Sequence, residues 1–153
     1  MTQWITNSPE ETERLGERVA ALLSGGEVLA FSGGMGMGKT VFTRGLARGL
    51  GIRSGVSSPT FSIVREYHGR LTIYHFDMYR ITGWDDLYSC GFFDYLGGDD
   101  VLVIEWSENI AEALPEDTIR IAVSRGKRES ERIFQISGLP ALGSEEAKEA
   151  KVP

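Results

Sequence analysis

Apolar positions recur in two rhythms along this chain. Leu15, Val19, Leu22 and Leu23 fall on one face at helical spacing, behind the start signal Ser8-Pro9-Glu10-Glu11. Ser8 can cap that helix, Pro9 suits its first position, and Glu11 can return the capping bond. Gly25-Gly26 ends it. Val28-Leu29-Ala30-Phe31-Ser32 is instead almost continuously apolar, the pattern of a short strand covered on both faces. Glycines follow at once. Phe42, Leu46 and Leu50 then stand four apart as far as Gly51, so the order is strand, glycine loop, helix over 39–50. Phe61 to Tyr67 and Leu71 to Phe76, rich in aromatic and β-branched residues and separated by His68-Gly69-Arg70, predict a hairpin. Trp84 to Tyr95 predicts a helix, Val101-Leu102-Val103-Ile104 a second buried strand, and Thr118 to Ser124 and Arg132 to Ser137 two more strands.

The chain has 153 residues, enough for one core and too few for a second catalytic domain. The pattern places a single domain over 1–138, followed by a small, charged tail over 139–153 that is expected to be flexible. No apolar run reaches the roughly 20 residues of a spanning helix. Met1-Thr2-Gln3-Trp4 lacks the basic stretch of a signal segment, so a cytoplasmic protein without membrane association is expected. Cys90 is the single cysteine, which excludes an intrachain disulfide and a cysteine zinc site and leaves packing as its simplest role.

Charge changes the picture more than composition does. The net charge of −6 opposes independent binding to a nucleic-acid backbone. Residues 1–76 nevertheless carry 8 basic and 6 acidic side chains, and residues 77–153 carry 8 and 16. Anion binding therefore belongs to the first half, and carboxylate metal ligands or a basic partner's footprint to the second.

Gly33, Gly38, Lys39 and Thr40 match the phosphate-loop spacing G-x-x-x-x-G-K-[ST] in its required setting, after a strand and before a helix. Backbone N–H groups of Met35, Gly36, Met37 and Gly38 can wrap a phosphate while the helix N-terminus adds its positive dipole. Lys39 would reach the β- and γ-phosphates, and the Thr40 hydroxyl would bind Mg²⁺. The implied fold is α/β: a P-loop NTPase-like three-layer sandwich with a central, mostly parallel sheet and antiparallel strands at one side. ATP and Mg²⁺ are the expected cofactors.

Such sites need a carboxylate at the end of a neighbouring buried strand. Glu105, directly after Val101–Ile104, is the candidate second Mg²⁺ ligand, against a solvated strand-end charge. Asp77 closes Ile73-Tyr74-His75-Phe76 in the same way and could orient the attacking water, or simply start the turn before Tyr79-Arg80. His75 is read as facing the core or a neighbouring strand, with no chemistry assigned. Thr60, in Ser57-Ser58-Pro59-Thr60-Phe61, lies where switch segments contact a γ-phosphate or where an ordinary loop would run. Trp106 could border the nucleotide or fill the core. Arg125, Lys127, Arg128 and Arg132 form a basic cluster in an acidic half, either a solvated face or a phosphate or partner contact.

Taken together, Gly36-Met37-Gly38-Lys39-Thr40 with Phe42, Thr43, Arg44 and Gly45, Ser58-Pro59-Thr60-Phe61, Tyr74-His75-Phe76-Asp77-Met78-Tyr79-Arg80, Gly91 with Asp94-Tyr95, and Ile104-Glu105-Trp106-Ser107-Glu108 resemble the TsaE (YjeE) family. These are small ATPases required for threonylcarbamoyladenosine formation at tRNA position 37. The likeness runs from about Ser8 to Ser137. It implies that Lys39 binds phosphate, Thr40 and Glu105 bind Mg²⁺, Asp77 is needed for hydrolysis, and Thr60 belongs to a switch. It also moves Trp106 and Glu108 toward the nucleotide and sets Pro9 to Thr12 beside the adenine. It further implies work with TsaB and TsaD, reaching tRNA only through that complex. Gly34, Met37, Val41 and Cys90 depart from the family's usual Asp, Ala, Thr and Leu; backbone donors are untouched, while Met37 bears on loop mobility and the rate of hydrolysis.

Three other readings compete with an ATPase subunit. A small-molecule kinase would use the 125–132 cluster as a lid but has little length for an acceptor segment. A GTP-gated switch would carry an Asn-Lys-x-Asp block, which does not occur here. A nucleotide-binding scaffold without turnover fits the same motifs.

Overall fold

The computed structural model describes residues 1–33, 38–53, 64–139 and 150–151. Their element order is β1 (Thr2–Thr6), α1 (Pro9–Ala20), β2 (Val28–Ser32), α2 (Lys39–Gly49), β3 (Val64–Tyr67), β4 (Ile73–Asp77), α3 (Trp84–Ser89), α4 (Phe92–Tyr95), β5 (Val101–Glu105), a 3₁₀ helix (Ser107–Ala113), β6 (Ile119–Arg125), β7 (Arg132–Ser137) and β8 (Ala150–Lys151).

The strands make one sheet in the order β3-β4-β5-β2-β6-β7-β1-β8. Its middle, β4-β5-β2-β6, is parallel. The two apolar runs β2 and β5 lie side by side there, covered on both faces, which is the condition their composition requires. Antiparallel pairing flanks the parallel core on both sides, through β3 with β4 and through β6 with β7 and β1.

Helices cover both faces. α1 and α2 pack with Leu29, Phe31, Val101, Val103 and Phe134, while α3, α4 and the 3₁₀ helix pack with Phe76, Met78, Leu102 and Ile104. The result is the expected three-layer α/β sandwich, with Phe42 of α2 set between Phe31 at 5.3 Å and Phe134 at 5.5 Å. No helix among the described residues is long and apolar enough to cross a membrane.

α1 begins as its sequence dictates: Ser8 Oγ accepts from Glu11 N at 3.1 Å, and Glu11 Oε2 accepts from Asn7 N at 3.0 Å. α1 and α2 then touch backbone to backbone. A Cβ on Gly16 would collide with the Phe42 carbonyl oxygen, and one on Gly45 with that of Glu13. This closeness fixes the axis of α2, and with it the direction of the helix N-terminus at Lys39.

Two elements differ from the expectations above. β1 was not expected; it lies between β7 and β8. The helix expected over Trp84–Tyr95 is two short helices, because Gly91 takes a left-handed φ of 75° between them. The hairpin is confirmed as β3 and β4, with 61–63 outside the described residues. Most of the expected flexible tail also lies outside them; Ala150 and Lys151 pair with Trp4 and Ile5.

Candidate active site

The carboxyl ends of the parallel strands bring the predicted groups to one edge of the sheet. β2 ends at Ser32, and Gly33 takes φ 127° with no room for a side chain, since a Cβ would strike the Val123 carbonyl oxygen of β6. Gly38 caps α2 with a left-handed φ of 93°. Among the described residues α2 has no side-chain cap, and its first turn holds no acidic residue, a helix N-terminus whose N–H groups and dipole suit an anion.

Lys39 follows as the first residue of α2 and is buried at 6% exposure. Its ammonium donates to the Gly33 carbonyl oxygen at 3.0 Å and stands 5.0 Å above the Trp106 ring. The ammonium carries three donors beside a carbonyl and an aromatic face, which suits it to an anion. Thr40, half-buried, follows it in the first turn.

Glu105 ends β5 and is almost fully buried, directly opposite Asp77 in the β4–β5 register. In a parallel pair, residues in register share a face, so the two carboxylates stand abreast on the face covered by α2. The Asp77 Oδ1 accepts from Tyr79 N at 2.9 Å, so the same carboxylate also shapes the turn that leaves β4. His75, two positions earlier on that face, donates from Nε2 to Glu105 Oε2 at 3.0 Å, a carboxylate being able only to accept. Both side chains are buried.

Trp106 next takes φ 58°, the one left-handed non-glycine residue among those described. The reversal turns the chain out of β5 and under the Lys39 ammonium, where Tyr79 packs on the indole at 5.0 Å. It is pinned on its far side by Ser107, whose Oγ donates to the Phe31 carbonyl of β2 at 2.9 Å. Asn109 ties the 3₁₀ helix to the end of β4 by donating to the Met78 carbonyl at 2.9 Å.

The structure therefore brings together Gly38, Lys39, Thr40, Asp77, Glu105 and Trp106. Thr12 also approaches: its methyl lies 3.9 Å from where a Gly38 Cβ would be, while its hydroxyl bonds Thr6 Oγ1 at 2.6 Å. Pro9 opens α1 one turn before it and is exposed. Glu108 lies instead on the lining of a groove of about 390 Å³ between the start of α3 and the 3₁₀ helix, with Thr82, Trp84 and Glu112. Met35, Gly36, Met37 and Thr60 lie outside the described residues.

Of the basic cluster, Arg132 reaches the site. Its Cγ also lies 3.9 Å from a Cβ on Gly38, and its guanidinium donates to the Glu129 and Glu131 carbonyls. His75 is the functional neighbour that residue reading left without a role. Its signal was the period of two that places it with Asp77 on one face of β4.

For a divalent cation, the donor set is the Thr40 hydroxyl in the first turn of α2 and the Glu105 carboxylate at the end of β5. That suits Mg²⁺, which takes one or two protein oxygens and fills its octahedron with water and substrate phosphate. Among the described residues no cluster of three His, Cys, Asp or Glu offers a self-sufficient metal cage.

Comparison with known proteins gives the family. The family model described as "Threonylcarbamoyl adenosine biosynthesis protein TsaE" matches residues 6–134. A tRNA threonylcarbamoyladenosine biosynthesis protein TsaE from Treponema pallidum is 43% identical over 119 residues, 78% of this chain and 88% of its own. The protein of the same name from Bacillus subtilis is 41% identical over 138 residues, covering 89% and 86%. The crystal structure of Bacillus subtilis YdiB superposes with a TM-score of 0.71 at 36% identity, covering 90% of this chain and 84% of that one.

Proposed function

Since this chain belongs to the TsaE family of tRNA threonylcarbamoyladenosine biosynthesis, we propose that it is the Mg²⁺-dependent, slow ATPase subunit of that pathway, acting with TsaB and TsaD in the cytoplasm. The observation that carries the reading is the buried Lys39 ammonium beside Gly33, at the N-terminus of α2 and on the same sheet edge as Glu105. In this reading the protein contacts tRNA only through the complex.

The chain's groups divide the work. Backbone N–H groups of the 33–38 loop and the first turn of α2 hold the phosphates, and Lys39 exchanges its carbonyl partner for phosphate oxygens. Thr40 and Glu105 would hold Mg²⁺, which would supply positive charge to offset that of the phosphates. Asp77 orients the water that attacks the γ-phosphorus in line with the leaving ADP oxygen. Trp106 and Tyr79 wall the site against bulk water, and Pro9 and Thr12 border the adenine. Thr60 acts as a γ-phosphate switch. Turnover by the isolated chain is slow, because a partner-supplied arginine can contribute about 10³ to 10⁵ in rate.

The test is ATP hydrolysis by the purified protein with and without a TsaB–TsaD pair and tRNA, comparing the wild type with Lys39→Ala and Glu105→Ala. Slow basal turnover that rises with the partners and vanishes in both variants is expected. Turnover that ignores the partners or survives both substitutions refutes the assignment, and competition by GTP or transfer of phosphate to a nucleoside would point to a switch or a kinase.

A further inference from the structure

We propose that His75 is a positioning residue for Glu105, fixing the orientation of the carboxylate that holds Mg²⁺; this rests on the ATPase reading above. Four observations carry it. His75 is completely buried and Glu105 nearly so, and the Nε2 to Oε2 bond between them is 3.0 Å. A carboxylate at that depth needs hydrogen-bond donors to remain in place. The β4–β5 register puts Val103 opposite His75, so the imidazole reaches diagonally, two residues along, to the strand end where Glu105 lies.

The third observation is what His75 does not do. Its Nδ1 is buried and has no hydrogen-bond partner among the described residues. Among the described residues, the hydrogen bond that the ring makes is the one to Glu105. The fourth is its surroundings. The same face carries Ile73 and Val103, and the Tyr67 ring lies 6.4 Å away. An aliphatic side chain would fill this place without leaving a buried ring nitrogen unpartnered, an arrangement that costs about 1–3 kcal/mol. The histidine is explained by the orientation it gives to the carboxylate. Partners of this kind, one bond removed from a metal, commonly change metal affinity or activity about 10- to 100-fold.

The experiment compares wild type, His75→Leu and His75→Gln by calorimetric titration of ATP in excess Mg²⁺ and in EDTA, with hydrolysis kinetics alongside, all well below each variant's melting temperature. The glutamine amide nitrogen can stand where Nε2 stands and donate the same bond. The leucine variant is expected to lose about 10- to 100-fold in the Mg²⁺-dependent gain in ATP affinity, with a fall in kcat. Its affinity in EDTA should match the wild type, and the glutamine variant should recover most of the loss. A folded leucine variant with the wild-type Mg²⁺ dependence, or a glutamine variant as impaired as the leucine one, overturns the proposal alone. A wild type that binds no ATP under either condition overturns the ATPase reading and this inference with it.

Discussion

Replacing Gly45 by alanine tests whether α1 and α2 lie as close as described. A Cβ there would sit on the Glu13 carbonyl oxygen and 2.7 Å from its carbon. Both are backbone atoms, so no side chain can swing aside and the helices must part by roughly an ångström. That opens the layer in which Leu15, Val19, Phe42 and Leu46 meet. A gap of that size forfeits about a quarter to a half of each dispersion contact across it. Overpacking commonly costs about 1–3 kcal/mol, and rigid backbone on both sides puts this case at the upper end. Alanine returns about 1 kcal/mol through helix propensity. The net loss is about 2 kcal/mol, or a Tm lower by about 4–8 °C for a chain of this size. Thermal unfolding followed by circular dichroism measures it. Gly98→Ala is the control, because a Cβ at Gly98 meets nothing within 4 Å; it should gain about 0.4–1 kcal/mol from the unfolded chain's lost freedom. Gly45→Ala at wild-type stability or above would refute the helix contact. α2 begins at Lys39, so its displacement should also weaken ATP binding.

Asp77→Asn keeps an oxygen to accept from Tyr79 N while removing one of two carboxylates standing abreast. Melting should be unchanged or higher by up to about 1 kcal/mol, while turnover drops about 10²-fold or more; wild-type turnover would remove Asp77 from the chemistry. Glu27 tests the pH dependence. Burial alone pushes its carboxyl up, but the N–H groups of Ser24 and Gly25 and the Ser24 hydroxyl outweigh that and hold it below the ordinary glutamate value. A pKa lower in the folded state stabilises above the unfolded value and is lost as the pH falls through the folded one. Urea unfolding should therefore find Glu27→Gln about 1 kcal/mol weaker at neutral pH, with the gap narrowing as the pH falls into the acid range; an equal gap at neutral and acid pH contradicts the assignment. Ser107→Ala removes the bond to the Phe31 carbonyl and should cost about 0.5–1.5 kcal/mol in the same assay. No change would mean that Trp106's turn is held by packing alone.

Fold class and most of the site were legible because they rest on local signals. β2 and β5 are apolar on both faces, and the phosphate-loop spacing falls between β2 and α2. β1 was not legible: of Thr2–Thr6 only Trp4 and Thr6 are buried, and the strand exists because β7, some 130 residues away, pairs with it. The break between α3 and α4 is a single left-handed glycine, with apolar residues recurring on both sides of it. Asp77 and Glu105 were found as strand ends, but that they stand abreast follows from register, which one strand's composition does not encode. The same register turns His75 from a core residue into the neighbour of Glu105.

The Lys39 contact with Trp106 also gives the site an optical signature. A cation 5.0 Å from an indole perturbs its excited state, so any event that draws the ammonium toward phosphate should alter the emission of that ring. The other two indoles stand in different settings, Trp4 sealed in the core at the opposite flank of the sheet and Trp84 half-exposed at the start of α3. Changing those two to phenylalanine would leave a protein whose single indole reports, without a label and in real time, when its own lysine changes partner.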